Sequence, residues 1–343
     1  MNRIWNSKDL EQMLEPNDWM RLQEQVRSRV ADLQPIATGT KSKLSPIDNV
    51  RGVLFDVYGT LIISAVGEII SGQISDRAND NAKAQQDGDR HSKVPGGTAP
   101  DKMAPDEKVL DTQVLQSLPE LLRASLSKDF EPSRAIKESI LQQHKQNKNP
   151  SLQYPEVDIV SLWHQVFLQQ LNEDMHNSLS PFILARFALE YELLHNRVQL
   201  MPGAQELLHW LATRNFYVGI ISNAQFYTPI ILSALLNLHE LADLNVQPDL
   251  CLWSYRQGCS KPQPELFDAA RSALAHHDLE PKEMIYLGND MRNDVWGAAQ
   301  AGFYTGLFAG DQRSLRLRGD MPEVAATEPD IVITELGQLK SIL

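Results

Sequence analysis

Residues 53–61, Val53-Leu54-Phe55-Asp56-Val57-Tyr58-Gly59-Thr60-Leu61, decide the fold. Val53, Leu54 and Phe55 run without polar alternation, as in a strand buried on both faces of a parallel sheet. The run stops at a carboxylate, and Gly59-Thr60 then supply a tight turn. In a doubly wound sheet ligands bind beyond the carboxyl ends of the strands, so Asp56 stands where a reacting group belongs.

Working outward, the chain from residue 200 alternates helix-like and strand-like stretches. AQELLHWLATR precedes FYVGIIS, PIILSALL precedes DLCLWS, PELFDAARSALA precedes EMIYLG, and WGAAQAG precedes YTGLFAG. DIVIT and the closing helix ELGQLKSIL complete the series. Such alternation predicts right-handed βαβ units and an α/β fold with a doubly wound parallel sheet. Between residues 109 and 196 the apolar spacing is helical throughout, most clearly in 157–171 and 181–195, which predicts an all-helical insertion. Residues 71–108 carry almost no large apolar side chains and are expected to form a disordered or long loop. Residues 8–33 have the spacing of one or two amphipathic helices. The expected organisation is a helical extension over 1–48, an α/β core over 49–64 and 198–343, and a helical insertion over 65–197.

Composition narrows the function. The 343 residues include 44 acidic and 32 basic side chains, a net charge of −12, which disfavours nucleic acid as a partner. The densest basic run, Arg313-Ser314-Leu315-Arg316-Leu317-Arg318, alternates with leucine and is expected to be a solvated face. No stretch has the ~18 consecutive apolar residues of a membrane span, and the first twenty residues lack a signal peptide's apolar run, so no membrane contact and a cytosolic location are expected. Cys251 and Cys259 are too few for a disulfide framework or a thiolate metal site.

Three more polar stretches follow or flank strands: ISNAQ (221–225), GCSKPQPELF (258–267) and LGNDMRND (287–294). With FDVYGTL they gather carboxylates, a hydroxyl, an amide and an ammonium group, the inventory for holding and attacking a phosphate-like group. Each fragment has a plainer reading: Asp56 capping its turn, Ser222-Asn223 capping a helix, Lys261 solvated at the surface.

FDVYGTL, IISN, SKPQPELF and YLGNDMRNDVWGAAQAG resemble, in order and spacing, the four motifs of the haloacid dehalogenase-like (HAD) hydrolases, over about 50–64 and 198–308. The helical insertion sits where that superfamily carries its cap domain. The resemblance implies a Rossmann-like core with Asp56 as a covalent nucleophile, and a carboxylate needs no base to activate it at neutral pH. It further implies that Thr60, Ser222 and Asn223 hold the transferred group and that Lys261 neutralises charge. A Mg²⁺ ion is implied on Asp56, the Tyr58 carbonyl, Asp290 and Asp294.

Two departures divide the chemistry. Tyr58 stands where phosphatases of this superfamily have a second aspartate, as in the 2-haloacid dehalogenases, and Asn289 precedes Asp290 where Gly-Asp is commoner. The resemblance thus implies hydrolysis of a small phosphorylated metabolite, or carbon–halogen hydrolysis, or a non-catalytic binding fold. A dehalogenase also needs a cap arginine, for which Arg123, Arg134 and Arg186 stand equal. Trp163, His164, Tyr191 and His195 are further cap positions, expected mainly to pack.

Overall fold

The computed structural model describes residues 3–72, 106–147, 149 and 151–343. The loop expected over 71–108 lies, for residues 73–105, outside the described residues. The chain divides into two compact units: Met1–Asp18, Ile69–Lys148 and Val157–Asn196 form unit 1, and Trp19–Glu68, Asn149–Glu156 and Arg197–Leu343 form unit 2.

Unit 2 is built on a six-stranded sheet. Its strands are β1 (Gly52–Phe55), β4 (Tyr217–Ser222), β5 (Val246–Trp253), β6 (Met284–Gly288), β7 (Tyr304–Phe308) and β8 (Ile331–Ile333), in the order β5-β4-β1-β6-β7-β8. Every ladder is parallel. The doubly wound α/β core is therefore present. The chain first winds from β1 to β5 on one side and then returns to build β6 to β8 on the other, which puts the reversal of strand order at β1 and β6. Phe55 pairs with both Ile220 and Leu287, so Asp56 emerges at the carboxyl end of the central strand.

All four β1 residues are buried, as the unbroken apolar run requires. Leu54, Ile221, Phe267 and Tyr286 lie in one core cluster, with the helix Pro264–Ala275 contributing Leu266, Ala270 and Leu274. Beside the main sheet, β2 (Ile62–Ser64) and β3 (Val198–Leu200) pair antiparallel; the apolar spacing of 53–64 and 196–200 had not disclosed this ribbon. The closing segment Leu336–Ser341 is a 3-10 turn rather than an α-helix. The turn-rich stretch before β1 is bonded to the sheet: Thr38 Oγ1 donates to the Ala309 carbonyl at 2.8 Å, and Lys43 bridges Val332.

A short strap, residues 149–156, belongs to unit 2 although it lies between two segments of unit 1. Ser260 N donates to the Tyr154 carbonyl at 2.8 Å and Glu156 N to the Gly258 carbonyl at 3.1 Å. Glu156 accepts from Gln225 Nε2 at 3.0 Å and Ser254 Oγ at 2.5 Å, and Tyr154 OH bonds the Arg292 guanidinium.

Unit 1 is helical, with helices at Ser7–Met13, Glu107–Leu115, Glu120–Ser125, Pro132–Gln146, Ile159–Gln170, Glu173–His176 and Pro181–His195. Met1–Asp18 belongs to it rather than standing apart: Ser7 N donates to Asp158 Oδ2 at 2.9 Å, and Trp5 N donates to His164 Nδ1 at 2.8 Å while the two rings stack. Trp163, Phe167, Phe187 and Tyr191 form its aromatic core, with Trp163 edge-on to Phe187 at 4.9 Å. Ser133, wholly buried, joins Asp111, His195 and Tyr191 in one polar knot. Among the described residues no helix is long and apolar enough to cross a membrane.

Candidate active site

Asp56 follows β1, and the turn after it is closed by backbone alone. Thr60, Leu61 and Ile62 amides donate to the Val57 carbonyl, and Gly59 N donates to the Ile62 carbonyl at 2.7 Å. Gly59 has a φ of +85°, where a side chain would also strike Ser314, so glycine is needed there. The Asp56 carboxylate is not the cap of this turn. Its side-chain contact is Lys261, whose Nζ donates to Oδ1 at 2.8 Å.

Lys261 is the centre of the site and is buried, not solvated. Its ammonium donates to Asp56 Oδ1, to Asp294 Oδ1 at 2.5 Å and to Tyr286 OH at 2.8 Å, which uses its three protons. Burial alone would lower its pKa, but Asp294 and Asp56 outweigh burial and hold the ammonium above its ordinary value. Burial in turn raises the Asp294 carboxyl to about 6, with Lys261 opposing and the Asp56 charge adding to the rise. Gly288 makes room for this carboxylate: a Cβ there would lie 2.3 Å from Asp294 Cγ.

Asn223 positions Lys261 through the backbone: its Oδ1 accepts from Lys261 N at 2.7 Å. Ser222 and Asn223 do not cap a helix, since the next one starts at Thr228 behind Tyr227. The Ser222 hydroxyl donates to the Asn223 carbonyl at 3.3 Å. Thr60 Oγ1 donates to Asn289 Oδ1 at 3.1 Å rather than to Asp56. Tyr58 OH meets Thr228 Oγ1 at 3.3 Å.

The fourth stretch supplies Asp294 but not Asp290. Asp290 Oδ1 caps the π-turn Met291–Trp296, accepting from Arg292 N at 2.8 Å and Asn293 N at 3.1 Å. Its Oδ2 accepts from Arg318 Nε at 3.1 Å and from the terminal guanidinium nitrogen at 2.8 Å. Four donors fill the roughly four lone-pair sites of a carboxylate, so Asp290 does not fit the expected set of Mg²⁺ ligands. Among the described residues no three His, Cys, Asp or Glu side chains are grouped to hold a metal ion.

The Arg313–Arg318 run departs from a solvated face. Arg316 pairs with Asp290 through backbone bonds, Arg313 binds the Gln34 carbonyl, and Arg318 meets the Asp290 carboxylate. Tyr286 was also missed. Its signal was a hydroxyl inside the apolar strand EMIYLG, and a buried tyrosine needs a partner; it bonds Lys261, Asp294 and the Ile221 carbonyl. In unit 1, Arg134 pairs with Glu138 at an exposed helix face. His164 and His195 lie inside polar contacts of that unit.

A solvent-poor carboxylate beside a buried ammonium, at the mouth of a parallel sheet, is an arrangement for nucleophilic attack on an electrophile carrying negative charge. Comparisons with known proteins bear on the family to which this chain belongs. The chain is 30% identical over 176 residues to the glyceraldehyde 3-phosphate phosphatase of Pyrococcus furiosus, covering 47% of this chain and 67% of that protein. It is 25% identical over 174 residues to the phosphoglycolate phosphatase of Nitrosococcus oceani, covering 50% and 68% respectively. Among solved structures, the putative HAD-hydrolase YfnB from Bacillus subtilis, bound to magnesium, is similar at 17% identity and a TM-score of 0.42, with 86% of this chain and 98% of that one covered. A 2-haloacid dehalogenase from Pseudomonas syringae pv. Tomato DC3000 is similar at 19% identity and a TM-score of 0.43, with 85% and 97% covered. The haloacid dehalogenase-like hydrolase family profile matches residues 50–302, about three quarters of the sequence, and the chain belongs to that family of hydrolases.

Proposed function

We propose that this hydrolase cleaves a small phosphorylated metabolite through an aspartyl-phosphate on Asp56. The observation that carries the reading is Lys261, buried and shared between Asp56 and Asp294. An Asp56 oxygen attacks phosphorus, a bond forms between them, and the phosphorus–oxygen bond to the leaving group breaks with its electron pair. Lys261 offsets the anionic charge that gathers as the phosphoryl group meets a carboxylate. Water then attacks the acyl-phosphate, inorganic phosphate departs and Asp56 is restored. The leaving oxygen takes its proton from water, since Tyr58 stands two residues after Asp56 and its hydroxyl faces Thr228. An ester with a good leaving group suits that arrangement, because general acid catalysis is typically worth about 10²- to 10⁴-fold. The phosphatase names of the two relatives support this class of substrate. Unit 1 takes the part of the cap domain in this reading, and the expected setting is the cytosol.

The family resemblance asks for Mg²⁺, while Asp290 is withheld from it, so no step here passes through the ion. A panel of phosphate esters assayed with and without EDTA tests both points. Phosphate release identifies the activity, and its loss in EDTA establishes metal dependence; no release from any ester refutes the proposal. Tyr58 favours a second reading, in which Asp56 displaces halide from a 2-haloacid and water hydrolyses the resulting ester. Chloride release from 2-chloropropionate, indifferent to EDTA, would establish that reaction instead.

A further inference from the structure

Asp290 and Arg318 carry a role that the family match does not reach, since Arg318 lies beyond residues 50–302. The Asp290 carboxylate is buried and Arg318 is a quarter exposed, with 2.8 Å between them. Around this ion pair the backbone is doubly tied. Arg316 N donates to the Asn289 carbonyl at 3.0 Å, and Met291 N donates to the Arg316 carbonyl at 2.8 Å. Arg318 itself holds a left-handed φ of +49°, a conformation a non-glycine residue keeps only where its surroundings fix it.

The same turn aims Asp294. The Asp294 and Val295 amides both donate to the Asp290 carbonyl, at 3.0 and 3.1 Å, and Asp290 N donates to Asp294 Oδ2 at 2.9 Å. Whatever fixes Asp290 therefore fixes the carboxylate that faces Lys261. We propose that Arg318 is a positioning residue of the active site and that Asp290 is its partner, not a metal ligand. The guanidinium supplies the positive charge that Asp290 needs, closes its remaining lone pairs, and so sets the turn that presents Asp294. The kinetic arm of the test rests on the phosphatase reading; the other arms do not.

The test uses the full chain and the variants Arg318→Gln, Arg318→Lys, Asp290→Asn and the double variant Arg318→Gln/Asp290→Asn. Residues that act as a unit give non-additive effects. The double variant should melt no lower than the worse single one, and Arg318→Lys should recover part of the loss. Mn²⁺ binding, read from the spectrum of the free ion, should agree within about twofold between Asp290→Asn and the parent, or be immeasurable in both. On a turned-over ester, Arg318→Gln should lower kcat by about tenfold with KM within about twofold, the pattern of a displaced active-site group rather than of lost protein. Additive melting shifts, or a loss of Mn²⁺ affinity of about tenfold or more in Asp290→Asn, overturns the proposal. Should Arg318→Gln not fold, the melting arm is run as Arg318→Lys against Asp290→Asn, with the same two refuting outcomes. If the parent turns over no ester, the melting arm still decides whether Arg318 and Asp290 act as one unit, additive shifts overturning it, and the phosphatase reading alone falls with the kinetic arm.

Discussion

Replacing Lys261 by methionine keeps most of the unbranched side chain, one atom shorter, and removes the charge that holds two buried carboxylates together. Asp56 Oδ1 and Asp294 Oδ1 lie 2.8 and 2.5 Å from the same nitrogen. Once that nitrogen is gone, two carboxylates about 5 Å apart repel by about 3 kcal/mol at an effective dielectric of about 20. Removing one partner from a buried ion pair costs about 3–5 kcal/mol in measured cases, which agrees. For a folding unit of about 200 residues this corresponds to a melting temperature lower by about 6–20 °C. Differential scanning fluorimetry at pH 7.5 measures it. The second half of the test is a rescue: Lys261→Met/Asp294→Asn removes the repulsion and should recover more than half of the loss. Acid should rescue as well. Burial already lifts the Asp294 carboxyl to about 6, and without Lys261 it rises further. A group whose native pKa is raised contributes stability below its unfolded pKa and loses it as pH rises through the native value, so the variant gains stability from pH 7.5 to pH 5. A Lys261→Met protein that melts within about 2 °C of the parent, or that Asp294→Asn does not rescue, refutes the reasoning.

Asp56→Asn should reduce turnover by about 10³-fold or more while leaving the circular dichroism spectrum unchanged, and near-parental activity would remove the basis of the whole site. Burial lowers the pKa of His164, His144 and His195 from 6.5, so the stability these residues contribute to unit 1 is present above that pH and is lost as pH falls, when the unfolded chain takes protons the native one refuses. Hydrogen exchange of peptides from 159–170 and 181–195, corrected for intrinsic rates, should therefore speed up between pH 7 and pH 5, and a flat profile would contradict this. Burial pushes the thiol of Cys251 up to about 12 and that of Cys259 up to about 11. Iodoacetamide at pH 8 should leave Cys259, whose side chain is buried, unmodified in the native protein, as read by peptide mass, and its labelling within minutes would show the burial to be wrong.

The sheet was legible because parallel strands buried on both faces read as unbroken apolar runs, and Val53-Leu54-Phe55 and Tyr217–Ser222 are two of them. The position of Asp56 followed from the same rule, since one residue past an apolar run is one residue past a strand end. The side-chain assignments in 287–294 were not legible, and the reason is local. Adjacent side chains leave this segment in different directions: Asn289, in a bend just after β6, faces the turn that follows Asp56, and Asp290 does not. Asn289 meets Thr60, and Asp290, extended at φ −115° and ψ 120°, turns to Arg318. A register shift of one residue would exchange the two roles, and nothing in the letters Gly-Asn-Asp sets that register. Arg318 and Tyr286 were hidden for a related reason: each is defined by a partner distant in sequence, and apolar periodicity carries no record of polar pairing.

The strap over 149–156 has a consequence for rebuilding this enzyme. Swapping the helical insertion between relatives as one continuous cassette would mean a single cut on each side. Here a single excision from Ile69 to Asn196 would also discard Tyr154 and Glu156, which bond Ser260, Gln225, Ser254 and Arg292 next to the loops that carry Lys261, Asn223 and Asp294. A graft of unit 1 must therefore exchange three pieces, 1–18, 69–148 and 157–196, and leave the eight residues 149–156 of the host in place.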